Sequence, residues 1–195
     1  MERIKKLREE ARKQGNPVLR DKSFELLLKT IRENKPKSIL EIGVNVGLSG
    51  IAMLLEETES TLTGIEIDED CIKKAKQNYK DFGVSERAKI FCGDAGEIIP
   101  ILTGKYDFIF LDGPKGHYFE YLPNLINSLN KNGILFADNV LFRGYVEDET
   151  PTPHRQMTIK HSMQNFLNAI ENTKGLKTTV YHIEDGVSIT KKLYE

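Results

Sequence analysis

The chain has little cysteine, no long apolar run and no excess of charge of one sign. Its two cysteines, Cys71 and Cys92, fall on a predicted helix and a predicted strand without metal-type spacing, so we interpret both as reduced thiols. No segment is long and apolar enough to span a bilayer, and the charged first residues contain no apolar signal core, so we expect a cytoplasmic protein with no membrane partner. The 28 basic and 29 acidic side chains give a net charge of -1, which excludes a global basic field for nucleic acid but not a local patch.

The composition is that of a single globular domain. The chain has 195 residues, of which 39% are hydrophobic and 29% charged, enough for one substantial core. We therefore predict one domain over residues 1–195. Residues 1–35 would form a helical cap or lid, with a charged helix up to residue 14, a break at Asn16-Pro17 and a second helix that begins at Asp21 and ends at Lys35-Pro36.

From Ser38 onward the sequence alternates between predicted strands and predicted helices. Strands are predicted at 38–42, 61–67, 88–92, 106–112 and 133–138, and helices at 48–57, 69–82, 96–101 and 118–130. Strands alternating with helices imply right-handed βαβ units, and hence a parallel sheet with helices on both faces.

The end of the chain departs from this alternation. After a polar loop over 142–158 and a helix over 159–172, two predicted strands, 177–183 and 187–193, are joined only by Glu184-Asp185-Gly186. Asp-Gly between two β-rich runs indicates a hairpin, so the last two strands should be antiparallel. The predicted fold class is α/β and Rossmann-like, with a seven-stranded, mostly parallel sheet and an antiparallel C-terminal hairpin strand.

A glycine-bearing turn follows the first predicted strand. In Glu41-Ile42-Gly43-Val44-Asn45-Val46-Gly47, Gly43 permits a tight bend and Gly47 permits close approach of the backbone to a ligand. The middle glycine of the dinucleotide fingerprint is missing, although the following helix would still favour an anionic group such as a carboxylate. Glu41 is placed to accept a hydrogen bond from an ammonium group.

Two acidic residues end the next two strands. Glu66 lies a little over 20 residues beyond Gly43, where a carboxylate can hold the two hydroxyls of a ribose. Asp94 can lie along an adenine, or it can cap the helix that follows it. These features together suit adenosine joined to an amino-acid head group, the shape of S-adenosylmethionine.

Oxygen-bearing side chains end two further strands. Asp112 follows the strand that begins at Tyr106, while Asp138 and Asn139 end the strand that begins at Gly133. Parallel strands bring such residues to one edge of the sheet, and an oxygen-only set suits Mg²⁺ or Ca²⁺ better than zinc. Lys115, one short turn after Asp112, is a candidate general base if its surroundings favour the neutral amine, or else an ordinary surface lysine.

These residues together resemble a known family. The segments Ile39-Leu40-Glu41-Ile42-Gly43, Leu111-Asp112-Gly113-Pro114-Lys115-Gly116-His117-Tyr118 and Ala137-Asp138-Asn139-Val140-Leu141, with Glu66, are similar to class I, metal-dependent O-methyltransferases of the catechol and caffeoyl-CoA type. The resemblance implies metal ligands at Asp112, Asp138 and Asn139, a base at Lys115 with Asp112 in the catalytic set, and a homodimer. It implies cofactor contacts at Glu41, Gly43, Gly47, Ser49, Glu66, Asp94, Ala95 and Asp112.

The methyl acceptor stays open between two classes. The segment 138–144 and the terminal segment 185–192 look like those of bacterial tRNA 5-hydroxyuridine methyltransferases, in which Arg143, Arg155, Lys160 and His161 would meet the anticodon backbone. A small catechol-like phenol is the alternative, and a nicotinamide-dependent oxidoreductase is a remote third. The metal would be Mg²⁺ or another hard cation such as Mn²⁺ or Ca²⁺. The family usually reads Asp-Ala-x-Lys where this chain has Asp112-Gly113-Pro114-Lys115, and Pro114 is expected to influence the turn that directs the Lys115 amine.

Overall fold

The structure is a computed structural model that describes residues 2–147 and 152–194. The chain forms two compact units, residues 1–95 and 96–195. Within the described residues no helix is long and apolar enough to cross a membrane.

The N-terminal unit contains three parallel strands in the order β3-β2-β1. In this register Glu41 lies opposite Gly64 and Glu66 opposite Cys92, so the ends of the strands are aligned. Its elements are α1 (Glu2–Lys13), α2 (Asp21–Asn34), β1 (Ser38–Ile42), α3 (Leu48–Glu56), β2 (Thr61–Glu66), α4 (Glu69–Asp81), a 3₁₀ turn (Ser85–Arg87) and β3 (Ala88–Cys92).

Local interactions explain how the first two helices are held. The buried Arg8 of α1 donates to the Leu19 carbonyl and to Asp21 at 2.8 Å each, and its guanidinium lies 3.6 Å from the centre of the Phe24 ring. The α1 residue Ala11 packs with Val46 and Leu48 in one apolar cluster. Helix α1 is therefore fixed against the glycine-bearing turn rather than frayed.

The C-terminal unit contains four strands in the order β4-β5-β7-β6. Strands β4 and β5 are parallel, whereas β7 is antiparallel to both β5 and β6. The elements from residue 95 onward are α5 (Ala95–Ile98), a 3₁₀ turn (Ile99–Ile101), β4 (Tyr106–Leu111), a 3₁₀ turn (Lys115–His117), α6 (Tyr118–Ser128), β5 (Leu129–Asp138), 3₁₀ turns (Phe142–Gly144 and His154–Gln156), α7 (Met157–Asn172), β6 (Leu176–Tyr181) and β7 (Val187–Lys192).

The predicted α/β fold class is confirmed: of the seven strands in the described residues, three parallel strands lie in the N-terminal unit and four in the C-terminal unit, where β7 runs antiparallel to its neighbours. Several predicted boundaries differ from the structure by one or more residues, and two of them are informative. Strand β5 begins at Leu129 rather than residue 133, because Leu129 already pairs with Tyr106 and the Asn130 side chain donates to Asp107 at 2.7 Å. Helix α7 begins at Met157, inside the predicted polar loop, directly after a 3₁₀ turn.

Candidate active site

The glycine-bearing turn between β1 and α3 is held against the end of β2. The N–H groups of Gly43 and Val44 both donate to the Ile65 carbonyl, at 3.0 and 3.4 Å. Gly43 and Gly47 have φ angles of 89° and 83°, a region that favours glycine. A Cβ on Gly47 would also lie 2.7 Å from a ring carbon of Tyr79. Both glycines were predicted from the sequence to form a tight turn, and in the structure each has a positive φ that favours glycine.

Glu66 is fixed at the end of β2 by backbone donors. One carboxylate oxygen accepts from the Asn45 N–H at 2.7 Å, and the other accepts from the N–H groups of Ile67 and Asp68 at 2.8 and 3.0 Å. The bond from Asn45 joins the glycine-bearing turn to Glu66, so these two predicted features lie together. A carboxylate has more acceptor positions than these three bonds use, which leaves capacity for hydroxyl donors of a ligand.

Glu41 is completely buried in β1. Its carboxylate lies beside the hydroxyl of Tyr79 from α4. Burial, together with the Glu41 charge and the contact with that carboxylate, holds the pKa of the Tyr79 phenol well above its usual value. Of the other predicted cofactor contacts, Ser49 is half-buried in the first turn of α3, Asp94 is exposed after β3, and Ala95 is buried at the start of α5.

The predicted metal residues are brought to one edge by β4 and β5. Leu111 pairs with Ala137, so the next positions, Asp112 and Asp138, are neighbours across the parallel pair. Adjacent strands lie about 4.8 Å apart, a spacing that lets two carboxylates share one cation. The Asn139 amide nitrogen donates to the Asp138 carboxylate. This contact orients the Asn139 side chain beside the two acids.

Tyr118 ties the two strand ends together. Its hydroxyl shares its one proton between the backbone carbonyls of Leu111 and Asp138, at 3.1 and 3.3 Å, and its fully buried ring packs edge-on against Phe166 at 5.5 Å. Burial, followed by the charges of Asp112 and Asp138, raises the pKa of the Tyr118 phenol well above its usual value. The hydroxyl therefore remains a donor, and it holds the backbone of both acidic positions.

The loop after the acids is strained and is supported by the C-terminal hairpin turn. Asn139, Phe142 and Arg143 have φ angles of 59°, 42° and 58°. Such conformations persist only where the surroundings enforce them, and they are frequent at functional sites. The N–H of Val140 donates to the Gly186 carbonyl at 3.0 Å, and a neighbouring bond joins the Leu141 N–H to the Asp185 carbonyl at 2.9 Å.

Lys115 lies close to Asp112 despite the proline between them. Its Nζ is 4.0 Å from the Asp112 carboxylate, and Pro114 accepts the bond from His117 that closes the 3₁₀ turn. The turn that Pro114 forms thus leaves the amine within reach of the predicted site. Loss of hydration raises the pKa of Asp112 to about 6, while the Lys115 charge acts in the opposite direction.

Within the described residues, no three His, Cys, Asp or Glu side chains form a metal-binding group. The metal ligands predicted from the sequence, Asp112, Asp138 and Asn139, are not a group of this kind because the third is an asparagine. Sequence reasoning missed the hydroxyl contacts of Tyr79 and Tyr118 and the support that Gly186 gives to the loop. Both tyrosines occupy helix positions at which the sequence pattern predicts buried core residues. The contacts of their hydroxyl groups are visible only in the packed structure.

The chain was compared with known families and structures. A family model described as O-methyltransferase matches residues 2–193. A caffeoyl-CoA O-methyltransferase of Stellaria longipes is 31% identical over 147 residues, which is 70% of this chain and 60% of the relative. Tapetum-specific methyltransferase 1 of Arabidopsis thaliana is 27% identical and covers 92% of this chain and 78% of its own length. The chain spans about three fifths of the length of the first two curated relatives that it matches.

Solved structures extend the match to the whole fold. A Staphylococcus aureus protein, provisionally named a caffeoyl-CoA O-methyltransferase, has a TM-score of 0.88 at 29% identity and covers 97% of this chain and 91% of its own. The O-methyltransferase TomG of Streptomyces achromogenes, solved with S-adenosylmethionine, has a TM-score of 0.86 at 21% identity, covering 98% and 89%. That likeness concerns the fold alone. Because the family model matches almost every residue, the chain belongs to the O-methyltransferase family.

Proposed function

We propose that this protein is an S-adenosylmethionine-dependent O-methyltransferase that requires a hard divalent cation. The observation that carries the proposal is the pair of neighbouring acids Asp112 and Asp138, with Asn139 oriented against Asp138 and Tyr118 bonded to both strand ends. Membership of the family supports the reaction class.

The residues at this edge fit a hard cation. They offer carboxylate and amide oxygens and no sulfur or imidazole, which suits Mg²⁺, Mn²⁺ or Ca²⁺. The Asn139 nitrogen is directed at Asp138, so its oxygen is the atom available to a metal. In this proposal Asp112, Asp138 and Asn139 hold the ion.

Residues of the N-terminal unit fit the proposed cofactor. Glu66, held by three backbone donors, would bind the ribose hydroxyls, and Glu41 would receive the ammonium group. Gly43, Gly47 and Ser49 shape the turn, while Asp94 and Ala95 are proposed to border the adenine. Solved proteins of the same fold contain the cofactor or its product, including the O-methyltransferase of Bacillus cereus in complex with S-adenosylhomocysteine.

In this proposal the cofactor and the cation supply the reactive groups, and the side chains of the protein position them. S-adenosylmethionine would supply an electrophilic methyl group, and the cation would acidify an acceptor hydroxyl. Asp112 and Asp138 hold the acceptor side in place, so that much of the rate comes from orientation. Lys115, with its Nζ 4.0 Å from Asp112, is proposed to remove the acceptor's hydroxyl proton.

The acceptor class favoured by the comparisons is a small phenol with a second oxygen beside the reacting hydroxyl. Curated relatives that carry caffeoyl-CoA O-methyltransferase names support this choice. Two adjacent oxygens can chelate one cation, which explains why a metal would be required at all.

A 5-hydroxyuridine at the tRNA wobble position is a second candidate, favoured by a group of basic side chains. Arg143 is exposed on the loop directly after Asn139, and Arg155 and His161 are exposed further along the chain, while Lys160 is half-buried and bonds Thr152 at 3.3 Å. Such residues suit an RNA backbone. The predicted homodimer and the predicted cap over residues 1–35 also remain proposals, which light scattering and truncation would test.

The decisive experiment measures methyl transfer from labelled S-adenosylmethionine in Mg²⁺ and in EDTA. The acceptors are catechol, phenol as its single-hydroxyl control, and anticodon stem-loops with 5-hydroxyuridine or uridine. Labelling of catechol alone supports the small-phenol proposal, and labelling of the 5-hydroxyuridine stem-loop alone supports the tRNA alternative. Equal transfer to phenol, or full activity in EDTA, would contradict the cation's proposed role. No transfer by folded protein that binds cofactor would contradict both acceptors.

A further inference from the structure

Helix α3 contains a glycine that its backbone does not require. Gly50 is buried and does not have a positive φ, although glycine is disfavoured inside helices. A Cβ at this position would lie 2.5 Å from the Tyr79 hydroxyl oxygen and 2.6 Å from Oε2 of Glu41. Gly50 thus leaves the space in which a phenol and a carboxylate meet.

The two polar groups at this place are both removed from water. Tyr79 is 2% exposed and Glu41 is fully buried. A phenylalanine would fill the same core volume, so a buried hydroxyl here carries a cost unless it makes a polar contact. Because its pKa is held well above the usual value, the phenol keeps its proton and can donate it to the carboxylate.

We propose that Tyr79 is a positioning residue for cofactor binding, whose hydroxyl donates across Gly50 to Glu41 and fixes the carboxylate that receives the cofactor's ammonium group. The proposal rests on the proposed function, since it assigns Glu41 to that group. It predicts a specific chemical selectivity, because Tyr79 should matter only for ligands that carry the amino-acid head group.

The test measures the binding of two ligands to the purified full chain by calorimetry. S-adenosylhomocysteine carries the ammonium group, whereas 5′-methylthioadenosine has the adenosine and thioether without it. We expect Tyr79→Phe to lower the affinity for S-adenosylhomocysteine by roughly tenfold, which corresponds to the loss of about one hydrogen bond to a charged group. The affinity for 5′-methylthioadenosine should stay within about twofold of wild type. Tyr106→Phe is the matched control, because it removes a phenol that is also buried but lies against Gly104.

A double-mutant cycle shows whether Tyr79 acts through Glu41. In a Glu41→Gln background, where the carboxylate charge is already absent, Tyr79→Phe should have little further effect on S-adenosylhomocysteine. The ratio of the two affinities is unaffected by partial unfolding, because both ligands bind only folded protein.

Each result decides a different point. Equal weakening of both ligands, or an unchanged ratio, would overturn the positioning role and leave Tyr79 as a core residue. A full effect of Tyr79→Phe that persists in the Glu41→Gln background would also overturn it. If the wild-type protein binds neither ligand, the proposed function itself fails, and this outcome is separate from any effect of the substitution.

Discussion

Tyr118→Phe should loosen the proposed metal site while leaving the core packed. The substitution deletes one hydroxyl and keeps the ring that packs 5.5 Å from Phe166. The single proton that the hydroxyl shares between the carbonyls of Leu111 and Asp138, at 3.1 and 3.3 Å, is lost. Both distances exceed the usual O–H···O range of about 2.5–3.0 Å, so we expect a loss of only about 1–2 kcal/mol in the free energy of unfolding. For a chain of this size that corresponds to a fall in Tm of about 2–8 °C.

The effect on the metal should exceed the effect on stability. Groups that orient metal ligands typically contribute about 10–100-fold to affinity. Tyr118 holds the backbone at both Asp112 and Asp138, so Mg²⁺ affinity, measured by calorimetry, should fall by at least about tenfold. Tyr106→Phe serves as the control, since its hydroxyl lies against Gly104 and should leave Mg²⁺ affinity unchanged.

One outcome would refute this reasoning directly. If Tyr118→Phe lowered Tm while the Kd for Mg²⁺ stayed within about twofold of wild type, the strand ends would not depend on the hydroxyl for their alignment. If the wild-type protein bound no divalent cation, the assignment of Asp112, Asp138 and Asn139 as ligands would be wrong.

Three further predictions concern the same unit. Asp138→Ala should abolish Mg²⁺-stimulated methyl transfer while sparing binding of S-adenosylhomocysteine; retained metal-dependent turnover would remove Asp138 from the ligand set. The pKa of Asp112 is raised from 3.8 to about 6, so the metal-free wild type should lose unfolding free energy relative to Asp112→Asn as pH rises from 4 to 6. Because the side chain is 28% exposed, we expect about 1–2 kcal/mol by denaturant titration, and an opposite or absent trend would contradict the burial argument. Gly186→Ala should destabilise more than Gly15→Ala: the two glycines have φ of 82° and 79°, but only a Cβ at 186 would meet Leu141, at 2.2 Å. Equal losses in Tm would show that the contact is unimportant.

The sequence predicted the fold because the alternation of elements is strong and because the connection Glu184-Asp185-Gly186 is too short for a parallel crossover and favours a hairpin. The strand ends followed from the same pattern, and Asp112 and Asp138 are indeed neighbouring positions. The start of β5 was missed because Lys131-Asn132-Gly133 reads as a turn, whereas the structure continues the strand through an Asn132 with a φ of 64°.

What the sequence could not predict is which side chains lie against the acids of β1, β4 and β5. Tyr79 and Tyr118 occupy apolar positions of α4 and α6, and helical periodicity classifies both as core. The partner of a buried hydroxyl depends on packing over distances that periodicity does not describe. The glycine at position 50 could not be explained from the sequence either, because it is required by the nearby side chains of β1 and α4 and not by its own backbone conformation.

In each unit, a tyrosine of a later helix brings its hydroxyl to an acidic strand position proposed to bind a ligand. At Glu41 the hydroxyl lies beside the carboxylate across Gly50, and at the ends of β4 and β5 it bonds the carbonyls of Leu111 and Asp138. A tyrosine suits this task because its ring fills the core while its tip supplies a donor. Tyrosine-to-phenylalanine variants remove the donor and keep the ring, so they separate the hydrogen bond of the hydroxyl from the packing of the ring. If both variants leave ligand binding intact, the acids are held by the sheet alone, and the two hydroxyls serve only the stability of the fold.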